Sequence, residues 1–169
     1  MALRIDIKLN QKSIKEAIDR IEKYKKEITE KSYEVARLCA ERGVDIAKVN
    51  VLAMDAVFTG ELVDTIHLVK GDEEGVFFVV ADSEHAVFVE FGTGHTGKKY
   101  PYKGDLPQGY KYVSGKQILA NLSKGVYGWF YPIQGEIYFT EGMSSRPFML
   151  NTEIQLEREI VGIVKEVFR

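Results

Sequence analysis

Near the start of the chain, apolar residues recur at helical spacing, opposite a face rich in Lys and Glu. The pattern covers residues 13–42 and predicts a long amphipathic helix. Ser13 and Glu16 fit a capping box, which places the predicted start at Ser13. Lys25 and Ser32 interrupt the heptad-like repeat, so packing against the protein's own sheet is favoured over a coiled coil. The apolar stripe consists of Ile14, Ile18, Ile21, Ile28, Val35 and Cys39.

A glycine interrupts the helical pattern at position 43. Glycine costs about 1 kcal/mol in a helix interior, so Gly43 either ends the helix or weakens it before a second helical stretch at residues 44–53. We expect the helix to continue through Gly43.

The pattern then changes to that of β-structure. Residues 65–70 (TIHLVK) and 76–81 (VFFVVA) are β-branched and aromatic, and the sequence GDEEG between them suits a turn. Together they predict a β-hairpin. Residues 85–91 (HAVFVEF) are an apolar run too short to show its period, so a third strand and a short buried helix both stay open.

Residues 92–128 are rich in glycine and too numerous for a plain connection. We predict that they form a mobile insertion with one short helical turn at residues 116–122. Residues 129–139 then have strand character, which Pro132 and Gly135 interrupt.

The chain ends in a second amphipathic helix. Ser145 is its predicted cap and Pro147 lies in its first turn. The predicted fold class is α+β, with long N-terminal and C-terminal helices packed on a small antiparallel β-sheet, and residues 1–169 form a single domain. The apolar side of the last helix consists of Ile154, Ile160, Ile163, Val164, Val167 and Phe168.

Composition adds few constraints. A chain of 169 residues is long enough to bury a core without disulfides, and its single cysteine, Cys39, allows neither an internal disulfide nor a multi-cysteine zinc cluster. No apolar run approaches the ~20 residues of a bilayer span, and the first ten residues lack the apolar core of a signal peptide. We therefore expect an intracellular protein without membrane contact.

The net charge of −2 hides two regions of opposite sign. Residues 92–131 contain six lysines and one acidic residue, Asp105, which gives this segment +5 and leaves −7 for the rest. The segment also holds six of the nine tyrosines and the single tryptophan, Trp129. Lysines among aromatic rings are typical of surfaces that bind protein or nucleic acid. The candidate contact residues are Lys98, Lys99, Tyr100, Tyr102, Lys103, Tyr110, Lys111, Tyr112, Lys116 and Lys124.

One stretch imitates a phosphate-binding loop. Residues 92–98 match the pattern G-x-x-x-x-G-K, but Lys99 replaces the Ser or Thr that would bind magnesium, and residues 100–104 (YPYKG) do not suit a helix start. We expect a glycine-rich turn, and a phosphate-binding enzyme centred on Gly97 and Lys98 is a less favoured alternative.

The other candidate catalytic groups have simpler structural explanations. Cys39 lies on the apolar side of the predicted first helix, where a buried and inert thiol is typical. Glu84 and Glu90 form a carboxylate pair by spacing alone, which is weak evidence for acid–base chemistry. We predict no catalytic residue, no metal and no cofactor. The histidines, which match no compact metal-ligand spacing, are His67, His85 and His95.

Three motifs follow one another in an order that is similar to a known family. They are residues 59–62 (TGEL) followed by Thr65 and Ile66, then residues 85–94 (HAVFVEFGTG), then residues 142–149 (GMSSRPFM). Their order and spacing resemble those of neck proteins from long-tailed bacteriophages and prophages, which are described as head–tail joining, minor capsid or tail-completion components. The departures from that pattern, none of which affects a catalytic group, are Thr65, His85 and Ser145.

The resemblance implies a non-enzymatic structural protein of the virion neck or tail region, present in the bacterial host cytoplasm during assembly. It implies a ring-forming homo-oligomer that binds neighbouring head-completion and tail-tube or tail-terminator proteins. From the basic segment we expect packaged DNA as a further contact, and from the hydropathy pattern we expect no membrane contact. The motif residues that it identifies as structural are Thr59, Gly60, Leu62, Glu90, Phe91, Gly92, Thr93, Gly94, Arg146, Pro147 and Phe148.

Side-chain chemistry gives these motifs specific roles. Phe88 and Phe91 are expected to be buried, and Phe148 is expected to anchor the last helix in the core. Arg146 can form a bidentate pair with a carboxylate, and Glu90 is its expected partner.

The basic segment has three ranked interpretations. Contact with a partner protein comes first, DNA second and a passive loop third, because a purely electrostatic DNA contact would not need six tyrosines. The alternative function is therefore a nucleic-acid-binding module that uses residues 98–124. In a self-assembling ring, the basic segment of one subunit would meet the acidic body of the next, and assembly would weaken as salt rises.

Overall fold

The computed structural model describes residues 4–55, 60–112, 118–121, 126–133 and 135–169. These residues contain five helices and five strands in an α+β arrangement, which confirms the predicted fold class. The helices are α1 (Gln11–Ala53), α2 (Glu61–Asp64), α3 (Ala86–Phe91), α4 (Gly94–Lys99) and α5 (Phe148–Val167). The strands are β1 (Ile66–Lys70), β2 (Phe77–Ala81), β3 (Ile118–Asn121), β4 (Val126–Ile133) and β5 (Glu136–Thr140).

Helix α1 is continuous over 43 residues. Asn10 is its N-cap, and the side-chain oxygen of Asn10 accepts a hydrogen bond from the Ser13 N–H at 2.9 Å. The predicted start at Ser13 is therefore wrong, since Asn10 takes the capping role and the Ser13 hydroxyl accepts from the Lys8 N–H instead, also at 2.9 Å. The predicted continuation through Gly43 is confirmed.

Gly43 lies where α1 contacts both β2 and α5. A Cβ atom added here would lie 2.9 Å from Cγ2 of Val79 and 3.7 Å from Cδ2 of Leu156. The glycine therefore lets the strand approach the helix closely, which explains why a residue of low helix propensity lies within α1.

Helix α5 runs back along the second half of α1. The Asn50 side chain donates to the Thr152 hydroxyl at 3.1 Å near the start of α5. Further along, an ion pair joins Arg42 to Glu159 at 2.6 Å. At the far end, the Lys31 ammonium lies 5.6 Å from the ring centre of Phe168, next to the end of the chain.

The first half of α1 extends past the end of α5. Four isoleucines of its apolar stripe are largely uncovered: Ile14, Ile18, Ile21 and Ile28 are 45, 50, 50 and 37% exposed. Val35 and Cys39, later in the same stripe, are half-buried. The predicted packing of this stripe on the protein's own sheet is therefore wrong for its first half, because α5 ends beside Lys31.

Strands β1 and β2 form the predicted antiparallel hairpin, with Ile66 opposite Ala81 and Lys70 opposite Phe77. One face of this hairpin packs on α1, where Ile66 is 1% exposed. At the turn, the Tyr33 hydroxyl of α1 donates to the Glu74 carboxylate at 3.3 Å. The hairpin is thus fixed to the middle of α1.

Strands β3, β4 and β5 form a second antiparallel sheet in that order. The predicted helical turn is wrong at residues 118–121, because these residues pair with β4 as β3. The predicted strand character of residues 129–139 is confirmed, and Gly135, at φ 90°, lies in the turn between β4 and β5. Pro132 does not end β4, which pairs it with Ile137.

Residues 86–91 are helical, which decides between the two alternatives left open by the sequence. Helical geometry buries Val89 and Glu90 and turns Phe88 outward, so Phe88 is 47% exposed and its predicted burial is wrong. The following helix α4, which the sequence did not predict, ends before Pro101. The core itself is formed by Ala47, Val51, Leu62, Ile66, Ala86, Val89 and Phe148.

Candidate functional site around Glu90

A buried carboxylate connects α3 to α5. Glu90 is 5% exposed, its Oε2 accepts from the Met149 N–H at 2.9 Å, and its Oε1 accepts from the Leu150 N–H at 3.1 Å. Both amides belong to the first turn of α5, which has no side-chain cap of its own. Glu90 therefore caps α5 from a different helix and places its negative charge at the positive end of the helix dipole.

The residues that precede α5 are bound to the same helix end. The Ser145 hydroxyl donates to the Glu90 carbonyl at 2.6 Å, and the Arg146 N–H donates to the Val89 carbonyl at 2.8 Å. The predicted Ser145 cap is wrong, because Pro147 occupies the N-cap position. The predicted Arg146–Glu90 ion pair is not formed either, because the carboxylate binds α5 amides instead.

Burial and hydrogen bonding act on the Glu90 carboxyl in opposite directions. Burial raises its pKa, whereas the hydrogen bonds from the Met149 and Leu150 amides and from the Tyr102 hydroxyl lower it, and the net pKa lies above the ordinary range. Tyr102 responds to the same contact: burial raises the pKa of its phenol, and the Glu90 charge raises it further. The Glu90 carboxyl is thus engaged in contacts within the chain.

Glycines bring the second and third motifs into backbone contact. The Thr93 N–H donates to the Met143 carbonyl at 2.8 Å, and the Met143 N–H donates back to the Thr93 carbonyl at 3.1 Å. Gly92 and Gly94 flank Thr93 at φ 80° and 66°. A Cβ atom at Gly94 would lie 2.3 Å from the Glu141 carbonyl oxygen, so no side chain fits there.

The three sequence motifs meet in one core. Leu62, Val89 and Phe148, one from each motif, are 6, 6 and 1% exposed and belong to the same hydrophobic cluster. Gly60 starts α2 at φ 81°, a left-handed conformation that favours glycine. Thr59 lies outside the described residues. The three motifs thus contribute to the core that holds α1, α3 and α5 together.

Three tyrosines of the basic segment pack on this framework. The ring of Phe91 contacts Tyr102 and Tyr110 at centroid distances of 4.8 and 5.2 Å, and Tyr110 contacts Tyr112 at 5.7 Å. The Tyr110 hydroxyl donates to the Gly92 carbonyl, and the Tyr102 N–H donates to the Tyr112 hydroxyl at 3.0 Å. These three rings are half-buried, so their principal contacts are within the chain.

The lysines of the segment are placed differently. Lys98, Lys99, Lys103 and Lys111 are exposed, and none of these four forms an ion pair in the part of the chain that the structure describes. Tyr100 is also exposed, and the Lys99 ammonium lies 5.3 Å from its ring centre. Lys116 and Lys124 lie outside the described residues. A small positive surface therefore borders the aromatic cluster.

The glycine-rich stretch at residues 92–98 does not form a phosphate cradle. The amides that would point at phosphates already donate to carbonyls of the chain: those of Thr93 and Gly97 bind Met143 and Thr93 at 2.8 Å, and that of Thr96 binds Glu141 at 3.1 Å. The Gly92 amide likewise binds Phe88 at 2.8 Å. The sequence match therefore has a structural explanation.

The other candidate groups are separated. Among the described residues, no three His, Cys, Asp or Glu side chains lie close enough to hold a metal ion. Burial raises the pKa of the Cys39 thiol, which disfavours the reactive thiolate. Glu84 is exposed whereas Glu90 is buried, so the two carboxyls have different environments.

No described helix combines the length and apolar character needed to cross a bilayer.

Two apolar surfaces were not assigned from the sequence. We name the first the helix stripe: Ile14, Ile18, Ile21 and Ile28 of α1. We name the second the sheet face, which lies on one side of β4 and β5: Phe130, Pro132, Ile137 and Phe139. The cross-strand register that puts the second set on one face could not be derived before the β4–β5 turn was located.

Comparison with known proteins gives one match. Residues 15–92 match the model of a family described as "Bacteriophage HK97-gp10, putative tail-component". The matched range covers most of α1, the first motif and most of the second, and it confirms the resemblance to phage head–tail and tail-completion proteins that the motifs predicted. No curated protein and no solved structure matches the chain.

Proposed function

We propose that this chain, which is related over residues 15–92 to the HK97-gp10-like tail components of bacteriophages, joins head to tail or completes the tail of a phage or prophage particle. The family supports the coarser statement, a structural protein of the phage tail. The finer proposal is that the chain self-associates as a ring in the virion neck and binds neighbouring head-completion and tail-tube or tail-terminator proteins. It is made in the host cytoplasm.

The observation that carries the self-association is the amount of surface left uncovered. The chain exposes 12510 Å². A compact monomer of its 19.2 kDa mass would expose ~8,400 Å². Large apolar side chains contribute to this surface on α1, α5, β2, β4 and β5. Exposed apolar side chains on several elements are typical of subunits that bury them in an assembly.

The rigid framework around Glu90 supports an assembly role from another direction. The three motifs use their chemistry internally: the glycines for close backbone contact, Glu90 for capping and Phe148 for the core. A protein whose motif residues hold one geometry, while apolar side chains stay exposed on its outer faces, has the properties of a fixed adaptor between larger parts.

Particle morphology tests this proposal. The reading frame is deleted from the phage or prophage that carries it, and the lysate is imaged by negative-stain electron microscopy. We expect filled heads and separate tails, and tailed particles restored by expression of the intact chain in trans. Normal numbers of intact tailed particles after deletion would overturn the proposal.

The sequence also offers nucleic-acid binding as a second function. The four exposed lysines beside the aromatic cluster favour it, whereas the half-buried state of Tyr102, Tyr110 and Tyr112 reduces the number of rings free to stack on bases. We therefore keep contact with neighbouring virion proteins as the main proposal for this segment, with packaged DNA as the alternative.

A further inference from the structure

The chain that precedes α1 has the pattern of a β-strand. We name residues 4–9 (RIDIKL) the N-terminal segment; its side chains alternate strictly between charged and apolar. The segment is extended, since the Arg4 guanidinium lies 3.8 Å from the Asp6 carboxylate, on the same side of the chain. Its apolar side is largely uncovered, with Ile7 56% and Leu9 101% exposed.

One side of this segment has open backbone groups. The Lys8 N–H donates to the Ser13 hydroxyl at 2.9 Å, and the Lys8 carbonyl accepts from the Asn10 N–H at 2.8 Å. In an extended chain, alternate residues direct their N–H and C=O groups to opposite sides. Ile5, which is half-buried, and Ile7 therefore direct theirs to the side that Lys8 does not use. Neither isoleucine has a backbone hydrogen bond to another described residue.

Strand β5 is an edge of its sheet, because the described strands lie in the order β3, β4, β5. Pro132 of β4 has no N–H, so its pair with Ile137 is of the type that exchanges no hydrogen bonds. The backbone groups of Ile137 and Phe139 therefore point to the open edge. The sequence of β5 (EIYFT) contains neither Lys nor Pro, the residues that commonly block an edge strand.

We propose that the N-terminal segment of one copy adds to the open edge of β5 of the next copy as an antiparallel strand. This inference rests on the self-association in the proposed function and specifies its contact. The segment and the edge are different surfaces, so the contact is head-to-tail, and it builds a closed ring when the rotation closes.

The side chains determine the direction of the added strand. In an antiparallel pair, the residues that exchange hydrogen bonds lie directly opposite each other and share a face. The two isoleucines of the segment then join Ile137 and Phe139 on the sheet face, and its charged residues lie on the other face. In a parallel pair the bonding residues are offset by one position, which would place the isoleucines beside Tyr138. The antiparallel direction is therefore favoured.

Charge selects one register. With Ile7 opposite Ile137, Lys8 lies opposite Glu136, and opposite charges in such a pair are favourable. A shift of two residues in one direction would place Asp6 opposite Glu136, where the charges repel. A shift in the other direction would leave one isoleucine beyond the end of β5. In the favoured register residues 4–8 cover the whole of β5, which is about 17 Å long.

The segment and β5 of the same chain lie in different parts of the domain. The segment joins α1 at Asn10, about 60 Å along the helix from Asn50, which binds the first turn of α5. Strand β5 instead leads to Met143, whose N–H donates to the Thr93 carbonyl close to the start of α5. The elements that pack most extensively on α1 are α5, β1 and β2. A second copy is therefore the favoured source of the added strand.

The other strand edges match the segment less well. The sequences of β2 (FFVVA) and β3 (ILAN) contain no charged residue, so neither offers a partner to the charged side of the segment. Strand β1 has His67, but this ring already lies 3.4 Å from the Asp82 carboxylate and 2.8 Å from the Thr65 carbonyl oxygen. The edge of β5 offers both an apolar face and an unpaired carboxylate in the described structure, at Glu136.

Proline substitutions test the strand pairing. Ile7→Pro removes an N–H that bonds the β5 edge, whereas Asp6→Pro removes one that points away from it and is the matched control. Both positions are exposed and precede α1, and circular dichroism verifies the fold of each protein. Mass is measured by light scattering after size-exclusion chromatography at about 0.1 mM protein. We expect oligomers from the unchanged chain and from Asp6→Pro, and a monomer from Ile7→Pro.

Disulfide formation between two chains tests the register. All chains carry Cys39→Ala; one also carries Glu136→Cys with a C-terminal tag, and the other carries Lys8→Cys or, as the control, Arg4→Cys. Directly opposite Cα atoms in this pair would lie about 4.5 Å apart, within disulfide range, whereas Arg4 lies about 14 Å further along the strand. After mild oxidation we expect on the order of tenfold more mixed disulfide from Lys8→Cys than from Arg4→Cys.

Several results would overturn this contact. A monomeric unchanged chain, equal loss of assembly in Asp6→Pro and Ile7→Pro, or equal cross-linking from Arg4→Cys and Lys8→Cys would each do so. A chain with both Lys8→Cys and Glu136→Cys that closes its disulfide only within the monomer would assign the strand to its own β5 instead. The gene-deletion experiment stays independent: separated heads and tails without the cross-link would retain the proposed function and reject this contact.

Discussion

The carboxylate of Glu90 lies 2.9 Å from the amide of Met149, although 59 residues separate them in the chain. This contact joins the end of α3 to the first turn of α5. The amides of the first helical turn otherwise lack partners in the helix, so a buried acceptor at this point contributes both hydrogen bonding and a favourable charge–dipole interaction.

We expect Glu90→Ala to destabilise the fold by about 2–3 kcal/mol, because it leaves half-buried amides of α5 without an acceptor and removes a charged hydrogen-bond partner. Urea denaturation followed by circular dichroism measures this loss. Glu84→Ala is the matched control: Glu84 is exposed and has no recorded hydrogen bond or ion pair in the described structure. Equal stability of the two variants would contradict the capping role.

The raised pKa of Glu90 predicts a specific pH dependence. In the unfolded chain a glutamate ionises near its ordinary pKa of about 4.3, whereas the folded chain holds the proton to higher pH. The contribution of this group to stability is thus fully present below the ordinary pKa and is lost as pH rises through the folded pKa. Other carboxyls act in the opposite direction, since the Arg42 contact lowers the pKa of Glu159.

The difference in unfolding free energy between the unchanged chain and Glu90→Gln isolates this group. We expect that difference to fall from acid to neutral pH, with a slope of at most about 1.4 kcal/mol per pH unit. In a Tyr102→Phe background this fall should continue to higher pH. The reason is that the Tyr102 hydroxyl lowers the Glu90 pKa, so its removal raises that pKa further. A difference that is flat with pH, or that rises, would contradict the assigned environment.

Alanine substitutions at Gly94 and Gly109 distinguish the cost of backbone strain from the cost of a steric clash. Both have positive φ, 66° and 84°, but a Cβ at Gly94 would lie 2.3 Å from the Glu141 carbonyl oxygen, whereas at Gly109 nothing lies within 4 Å. Gly109→Ala should cost about 1–2 kcal/mol, the conformational term alone. Gly94→Ala should cost clearly more, because the contact is with backbone that cannot move independently. Equal midpoints in urea would show that residues 93–94 are not held against residues 141–143.

Periodicity in the sequence was sufficient for the main elements. The α1 helix, the β1–β2 hairpin and the α5 helix each have a local pattern long enough to show its period, and all three were predicted. The continuation of α1 through Gly43 was also predicted from the local sequence. The close approach of Val79 to Gly43 was not. The motifs also predicted a resemblance to phage proteins, and the family model that matches residues 15–92 covers the first motif and most of the second.

The capping of α5 could not be predicted, because it depends on a contact between distant residues. Ser145 satisfies the local rule for an N-cap, yet its hydroxyl binds the Glu90 carbonyl, and the carboxylate that does the capping comes from α3. Helical spacing likewise shows that Ile14 and Ile18 share a face, but it does not show whether that face is covered. Coverage depends on where α5 ends, which is a tertiary property.

The exposed lysines decide between the two functions considered for the basic segment. At about 0.15 M salt we expect no saturable binding of single- or double-stranded DNA, because the chain has net charge −2 and three tyrosine rings of the segment are engaged with one another or with Phe91. Fluorescence anisotropy with labelled oligonucleotides, titrated over a range of salt concentrations, measures this directly.

The segment variant is Lys98→Ala, Lys99→Ala, Lys103→Ala and Lys111→Ala, and the control removes four exposed lysines elsewhere: Lys8, Lys12, Lys23 and Lys165. Both variants lower the net charge equally, so any difference reports position. If the segment does bind duplex DNA through four phosphates, the logarithm of affinity should fall against the logarithm of salt with a slope of about −3.6. Submicromolar binding at physiological salt that only the segment variant loses would establish the nucleic-acid function, because uniform charge reduction cannot produce that difference.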